Sequence, residues 1–384
     1  MYNILNDIRV LDLSRYVSGP TCTRILADMG AEVIKVEKAG QGDDTRLMGP
    51  YYNGKTLYFP SYNRNKKSVT VDFRSDNGKE LIRRLIEKSD VIVENFKAGT
   101  MAAMGFSFEE IQKINPRTIL LSITGFGQTG PDAKLPAYDG IVSYRSRLYQ
   151  DLGNGQFSTG GGMLSDAMAG INGALSVMLA LYHRQKTGLG QHIDFCMVTS
   201  SVGTMPMDLA NYAKNGPTDN MLIDAPNGFF QTKDEKWMMI IAGPQPMFLR
   251  LRELLKDPVI RDEKYKEIPN RLQDNDLLKE ILSSWVKERT CDEVYEIMTT
   301  TGITCAKVAD WEDVLRDRQL LYRGDIAQMP HEGGGTIPYV KFPSKFSNLE
   351  YTEDFPAPEL GRDNKEILTT LLGMTEEEVE KYTS

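Results

Sequence analysis

Residues 8–37 read IRVLDLSRYVSGPTCTRILADMGAEVIKVE. Residues 8–13 and 33–36 have the length and apolar, β-branched content of strands. Between them, residues 20–29 read as a helix, with proline in its first turn and Gly30 where a left-handed cap belongs. The alternation continues through strand candidates at 69–73, 91–93 and 119–123, and a helix is predicted over 76–88, where Leu81, Leu85 and Ile86 share a face. Consecutive βαβ units require a mostly parallel sheet with helices on both faces, because parallel strands need right-handed crossovers. The fold class is therefore α/β. The first strand runs into Ser14-Arg15-Tyr16-Val17-Ser18-Gly19-Pro20 and not into GxGxxG, which argues against a conventional NAD enzyme.

Downstream, the glycine-rich stretch DLGNGQFSTGGGML (151–164) precedes an amphipathic helix expected over about 165–186. Its small residues, among them Ala169, Gly170, Gly173 and Ala174, predict close packing on another element, and Asp166, Asn172 and Gly173 interrupt its apolar run enough to argue against a membrane span. It reads as a buried helix. A further strand follows at 192–197, and 204–228 gathers prolines and loses periodicity, as a linker does. Residues 229–310 read as a second, smaller α+β domain, with a strand at 237–241 and helices near 246–256, 275–288 and 291–301. Residues 311–384 return as linker and tail.

The chain has 384 residues, 41% hydrophobic and 26% charged, enough apolar content to close a globular core. A net charge of −8 argues against nucleic acid as a partner. Four scattered cysteines and three histidines form neither a disulfide framework nor a zinc motif, so no metal is expected. Unpaired cysteines and an N-terminus without a secretory layout point to the cytoplasm. The charge is uneven: residues 1–150 hold 21 Lys and Arg against 17 Asp and Glu, and residues 151–384 hold 24 against 36. An anionic ligand on the first half and a chance drift of surface charge explain this equally well.

Three features are candidates for chemistry. Asp166 opens a helix behind a glycine-rich loop, where the dipole and free amides would keep a carboxylate ionised as a nucleophile; a plain capping aspartate reads the same. The loop 122–131, leading to Tyr138-Asp139, lies after a strand, where open α/β sheets bind ligands, although turn-rich loops are often only structural. Lys35, Lys38, Arg64, Lys66, Lys67, Arg74 and Lys97 stand near strand ends and suit either phosphate recognition or a solvated face.

Taken in order, IRVLDLSRYVSGP (8–20), GAEVIKVE (30–37), NRNKKSV (63–69), DVIVENF (90–96), ITGFGQTGP (123–131), Ala137-Tyr138-Asp139, Asp166 with Gly170, and HRQKTGLGQ (183–191) resemble the class III CoA-transferases, relatives of the α-methylacyl-CoA racemases. The resemblance covers nearly the whole chain. It implies a Rossmann-like large domain, a smaller second domain and an interlocked homodimer. It also implies coenzyme A or acyl-CoA as substrate with an organic acid as acceptor. Asp166 matches the nucleophile, which would pass through aspartyl anhydride and aspartyl-CoA intermediates. Val17, Ser18, Lys38, Val71, Arg74, Asn95, Phe96, Lys97 and Asp139 match positions along the CoA, and all lie in the more basic first half.

Two departures stand out. Ala103 and Met104 occupy the place of a basic residue for CoA. Ala242-Gly243-Pro244-Gln245 replaces a glycine-run loop, which points away from formyl-CoA or oxalate toward hydroxy, aryl or longer acids. Racemase relatives use a histidine beside the aspartate at 139; here that residue is Tyr138, a poor base at neutral pH. This favours transfer over racemisation. A non-catalytic CoA binder would lack the aspartate that this chain keeps at 166.

Overall fold

The computed structural model describes residues 1–153, 156–158, 160–217 and 223–383. The chain divides into two compact units, Met1–Leu209 with Gly324–Ser384, and Ala210–Arg323. In the first, six strands form a parallel sheet: β1 (Arg9–Asp12), β2 (Glu32–Lys38), β3 (Lys66–Val71), β4 (Val91–Glu94), β5 (Ile119–Thr124) and β6 (His192–Cys196). Their order across the sheet is 3-2-1-4-5-6, every neighbouring pair parallel. This is the Rossmann order, in which the chain reverses its direction of growth between β1 and β4. Helices α1 (Ser18–Asp28), α2 (Asp76–Glu87), α3 (Asp139–Arg145) and α4 (Leu164–Thr187) flank it. Val10, Val91, Val93, Leu121 and Ile123 bury one face of the sheet against α1 and α4. Leu11, Ile34, Ile92 and Leu120 bury the other against α2 and the C-terminal helix Asn364–Thr370.

Strand β3 begins at Lys66, three residues before the expected apolar run, because its polar residues are neutralised inside the protein. The fully buried Lys66 ammonium donates to Asp12 Oδ2 at 3.0 Å, Asn63 Oδ1 at 2.9 Å and the Pro20 carbonyl at 3.1 Å. Asp12 also accepts from Ser14 N (3.0 Å), Ser14 Oγ (2.5 Å) and Thr23 Oγ1 (2.7 Å). Burial acts to raise the Asp12 pKa, but Lys66 and Lys35 outweigh it and hold the carboxyl well below the ordinary range. Burial pulls Lys66 down to about 8 against the attraction of Asp12. Lys35 bonds Asp43 (3.0 Å) and the Ser14 carbonyl (2.8 Å), and Arg64 is bidentate on Asp28. Arg64 and Lys66 are thus neither a phosphate site nor a solvated face but part of the internal scaffold of the sheet, while Lys67, part exposed, pairs with Glu32 and Glu366.

The edge strand β3 is closed by the returning chain. Ser68 N donates to Asp363 Oδ2 (2.7 Å) and Thr70 N to Asn364 Oδ1 (2.8 Å), so side chains of the tail satisfy ladder groups that would otherwise be open. Asn65, at φ +62°, ties Asp28 to Asp354 through its amide nitrogen.

Helix α4 is long and apolar enough to cross a membrane, yet one face packs on α1 and β5. Its outward face is not covered: Ile171, Leu175, Leu179 and Tyr182 are each more than half exposed. The expectation of a buried helix holds for one side only, because none of the described residues covers the other. The second unit has its own antiparallel sheet, β7 (Asn227–Gln231), β8 (Trp237–Ile241) and β9 (Thr304–Lys307), with β8 in the middle. Helices α5 (Gln245–Leu255), α6 (Asn275–Lys287) and α7 (Cys291–Thr301) complete a separate core around Phe248, Leu282 and Val294. Within the stretch read as linker, Pro206–Asn215 is helical, with no buried residue.

Removing one partner of a buried pair leaves an uncompensated charge. Lys66→Met is expected to lose about 3–5 kcal/mol of stability in urea unfolding, well beyond the effect of the exposed Lys88→Met.

Candidate active site

A sheet in which strand order reverses between β1 and β4 opens a crevice at the carboxyl ends of those strands. The two loops bordering it are joined by one side chain. Asn95 Oδ1 accepts from Arg15 N at 2.8 Å, and Asn95 Nδ2 donates to Arg15 O at 2.7 Å and Ser18 Oγ at 3.1 Å. The β1 loop is held from beneath by the Asp12 and Lys35 bonds to Ser14, and its Tyr16 takes φ +64°, a left-handed conformation that a non-glycine residue adopts only when its surroundings enforce it. Glu94 ends β4, and burial pushes its carboxyl up to about 7 against hydrogen bonds from Ser122 and the Phe96 amide.

Of the residues expected to face the CoA, Val17 and Ser18 start α1, and Asn95, Phe96 and Lys97 follow β4. Lys38 and Val71 are register partners at the ends of β2 and β3, and Arg74 lies just beyond. All are at the carboxyl edge of the sheet. Lys38, Arg74 and Lys97 are exposed, and among the described residues none has a carboxylate partner. Val17 and Val71 have fully buried side chains and offer only backbone. Lys35, Arg64, Lys66 and Lys67 are occupied in ion pairs. Ala103 and Met104 line a cleft of about 390 Å³ whose opposite wall carries Lys79 and Arg83, with Asp76 and Glu80 beside them.

Asp166 lies in the first turn of α4 and does not cap it. The capping position is Met163, which provides no side-chain acceptor, and Asp139 at the start of α3 supplies it instead. Asp139 Oδ1 accepts from Asp166 N at 3.1 Å and Ser165 Oγ at 2.6 Å. Burial, and then the Asp139 charge, push the Asp166 carboxyl up to about 7, with Ser18 opposing them. Desolvation and the second carboxylate thus oppose the support that the helix terminus was expected to give the ionised form.

Glycine sets the distance between α4 and α1. A Cβ at Gly170 would fall 2.5 Å from the Thr21 Cβ and 2.8 Å from the Ser18 carbonyl.

Sequence reasoning missed the tyrosines. Tyr58 Oη bonds Met163 Sδ at 3.1 Å, and the charges of Asp166 and Asp139 both reach Tyr62. Burial, then Tyr62 and Asp166, push Tyr58 up to about 12. The tyrosine-rich run 51–62 was their signal. The exposed Tyr138 packs edge-on against Tyr16 with ring centroids 5.8 Å apart. No histidine takes a base's place beside Asp166: His192 bonds Ser122, His331 bonds the Thr56 carbonyl, and His183 is exposed on α4. The loop 122–131 is anchored, with Gln128 N on Asp194 and the Gly125 carbonyl on Val198 N.

A carboxylate that is part ionised at neutral pH, beside a switch-point crevice edged with free cations, suits acyl chemistry on an anionic carrier. The profile of CoA-transferase family III matches residues 5–364.

The chain belongs to CoA-transferase family III.

The succinyl-CoA:glutarate CoA-transferase of Mus musculus is 35% identical to this transferase over 387 residues, covering 98% of this chain and 88% of the mouse protein. The acetyl-CoA:oxalate CoA-transferase of Acetobacter aceti is 32% identical over 365 residues, 92% of each chain. The crystal structure of a CAIB/BAIF family protein from Brucella suis superposes with a TM-score of 0.83 at 30% identity, over 97% of this chain and all of that one. As a family III enzyme, the protein transfers coenzyme A and takes acyl-CoA as substrate.

Gly170→Ala is expected to force α4 away from α1. The expected outcome is a loss of about 1–3 kcal/mol in thermal unfolding together with reduced turnover.

Proposed function

We propose that this CoA-transferase moves coenzyme A from an acyl-CoA to a dicarboxylic acid through covalent intermediates on Asp166. The observation that carries this reading is the Asp166 carboxylate itself, held between the Asp139-capped helix terminus and Ser18 at the edge of the crevice. Its ionised oxygen attacks the thioester carbonyl, the C–S bond breaks, and CoA leaves as thiolate from a mixed anhydride. The thiolate attacks the aspartyl carbonyl of that anhydride, forming aspartyl-CoA and releasing the donor acid. The acceptor carboxylate then displaces CoA from Asp166, giving a second anhydride. Finally the thiolate attacks the acceptor's own acyl carbon and frees Asp166. Every step exchanges carboxylate for thiolate on an activated acyl group, and no water is consumed.

Lys38, Arg74 and Lys97 supply exposed positive charge for the phosphates of CoA, and Lys79 supplies it in the cleft that Ala103 and Met104 line. Val17 and Val71 contribute backbone, and Ser18 and Phe96 border the thiol end. Glutarate and oxalate in the relatives' names support a dicarboxylic acceptor, and the oxalate enzyme, at 32% identity, weakens the expectation against oxalate.

The uncovered face of α4 supports a homodimer, interlocked through the connecting stretches 204–228 and 311–345, rather than a membrane span. Four free cysteines fit a cytoplasmic enzyme.

Mass spectrometry after incubation with succinyl-CoA and hydroxylamine is expected to find a hydroxamate on the peptide bearing Asp166, absent from Asp166→Ala. Incorporation of solvent deuterium into a branched acyl-CoA without an adduct would instead indicate racemisation. Because the anion is the nucleophile and its pKa lies at about 7, kcat/KM should rise with pH through about 7 and level off above it. Light scattering should give the mass of a dimer at micromolar concentration, and Leu175→Glu with Leu179→Glu should prevent its assembly.

A further inference from the structure

Immediately before the helix Tyr58–Asn63 the chain forms a hairpin of two-residue strands, Tyr51–Tyr52 and Lys55–Thr56. Its turn is Asn53-Gly54, at φ +49° and +76°, the pair of left-handed residues that a type I′ turn requires. So short a hairpin is not stable alone, and Tyr51, Tyr52 and Lys55 are exposed. The tip of a second hairpin, Ile326–Pro330 with Thr336–Val340 from the returning chain, clasps it. His331 Nε2 meets the Thr56 carbonyl at 3.0 Å, Asn53 Nδ2 donates to the Gly333 carbonyl at 2.9 Å, and Lys55 pairs with Glu332 at 3.4 Å. The approach is so close that a Cβ on Gly333 would fall 2.5 Å from the Tyr52 carbonyl oxygen.

The partners of His331 fix its chemical form. Gly333 N, 3.0 Å from Nδ1, can only donate, and the Thr56 carbonyl can only accept, so Nδ1 is bare and Nε2 carries the hydrogen. Only the neutral imidazole makes both bonds, since a proton on Nδ1 would set one N–H against another. The remaining groups at this contact are Tyr52, with its ring 6.1 Å from the imidazole, and the Lys55–Glu332 pair, whose charges offset each other. Beyond Thr56 the connection continues to the reacting helix. Thr56 Oγ1 accepts from Tyr58 N at 3.0 Å, and Tyr58 Oη donates to Met163 Sδ at 3.1 Å, at the capping position of α4 three residues before Asp166.

We propose that His331 is a positioning residue of the active site: in its neutral form it latches the returning hairpin onto the hairpin 51–56 and so holds Tyr58 against the start of α4, and protonation releases the latch. This rests on the reading of Asp166 as nucleophile, and His331 acts through Thr56 and Tyr58 rather than on the reacting atoms. Because the proton is taken up only in the released state, the latch is complete at higher pH and is lost as the pH falls.

The test compares His331→Asn and His331→Gln with the unmodified enzyme, each checked by a thermal melt. Asparagine keeps an acceptor for Gly333 N, so the turn survives, but it is too short to reach Thr56. Glutamine restores an N–H at that reach and does not titrate. Losing one hydrogen bond should lower kcat of His331→Asn at about pH 8 by about fivefold to tenfold, with KM for acyl-CoA unchanged, and glutamine should recover most of the loss. Asp166 is protonated in acid in every variant, so the latch is read from a ratio. The kcat of His331→Gln relative to the unmodified enzyme should rise about fivefold between about pH 8 and about pH 5.5. Hydrogen exchange should show residues 50–58 less protected in His331→Asn. An unchanged kcat in His331→Asn, or a flat ratio, would overturn the proposal and leave His331 a structural contact. If His331→Asn does not fold, the glutamine ratio decides together with the histidine nitrogen spectrum of the unmodified enzyme, where the tautomer protonated on Nδ1 would refute the latch. Absence of a hydroxamate on Asp166 in the unmodified enzyme would sink the nucleophile and this role together. An adduct with unchanged kcat in His331→Asn would sink the latch alone.

Discussion

Lys66 places a positive charge where no water reaches it, and the surrounding chain is organised to tolerate that charge. Its three acceptors come from the end of β1, the first turn of α1 and the helix before β3. A buried pair of this kind is a poor source of net stability, since desolving two ions costs about as much as their attraction returns. Its effect here is geometric. Asp12 bonds Lys66, Ser14 and Thr23 at once and so fixes the β1 loop where Ser18 opens α1 with its carbonyl against Gly170 of α4.

The site is built outward from that loop. Gly170 lets α4 approach until its backbone lies against Ser18 and Thr21, and Asp139 occupies the helix terminus that Asp166 would otherwise have capped. The two carboxylates differ in what holds them: Asp139 accepts from the Asp166 amide and the Ser165 hydroxyl, whereas the charge of Asp166 is opposed by burial. Asn95 then ties the β4 loop to the β1 loop across the switch point through Arg15 and Ser18.

Much of this was legible in the sequence. The βαβ alternation, the six strands and the helix caps are local signals, and the order of the motifs led to Asp166 and Asp139. The readings that failed were those that depend on neighbours distant in the chain. Lys35, Arg64 and Lys66 read as either phosphate ligands or a solvated face because their acceptors at Asp43, Asp28 and Asp12 belong to other elements. The start of β3 was missed because a lysine lowers strand expectation until its partner is known. Tyr58 and Tyr62 carried no motif, and they are near Asp166 only because the helix Tyr58–Asn63 packs beside α1.

By itself the sequence determined the α/β class, the family and the identity of the candidate nucleophile, because periodicity, turn chemistry and motif order are properties of adjacent residues. Only the tertiary structure decided which cations are free at the sheet edge, which carboxylate caps the helix and how readily Asp166 ionises. Those outcomes follow from desolvation and from hydrogen-bond partners that folding alone brings together. Lys66 and Asp12 are 54 positions apart and form an internal pair, whereas Lys38, Arg74 and Lys97, no different in residue type, remain in water.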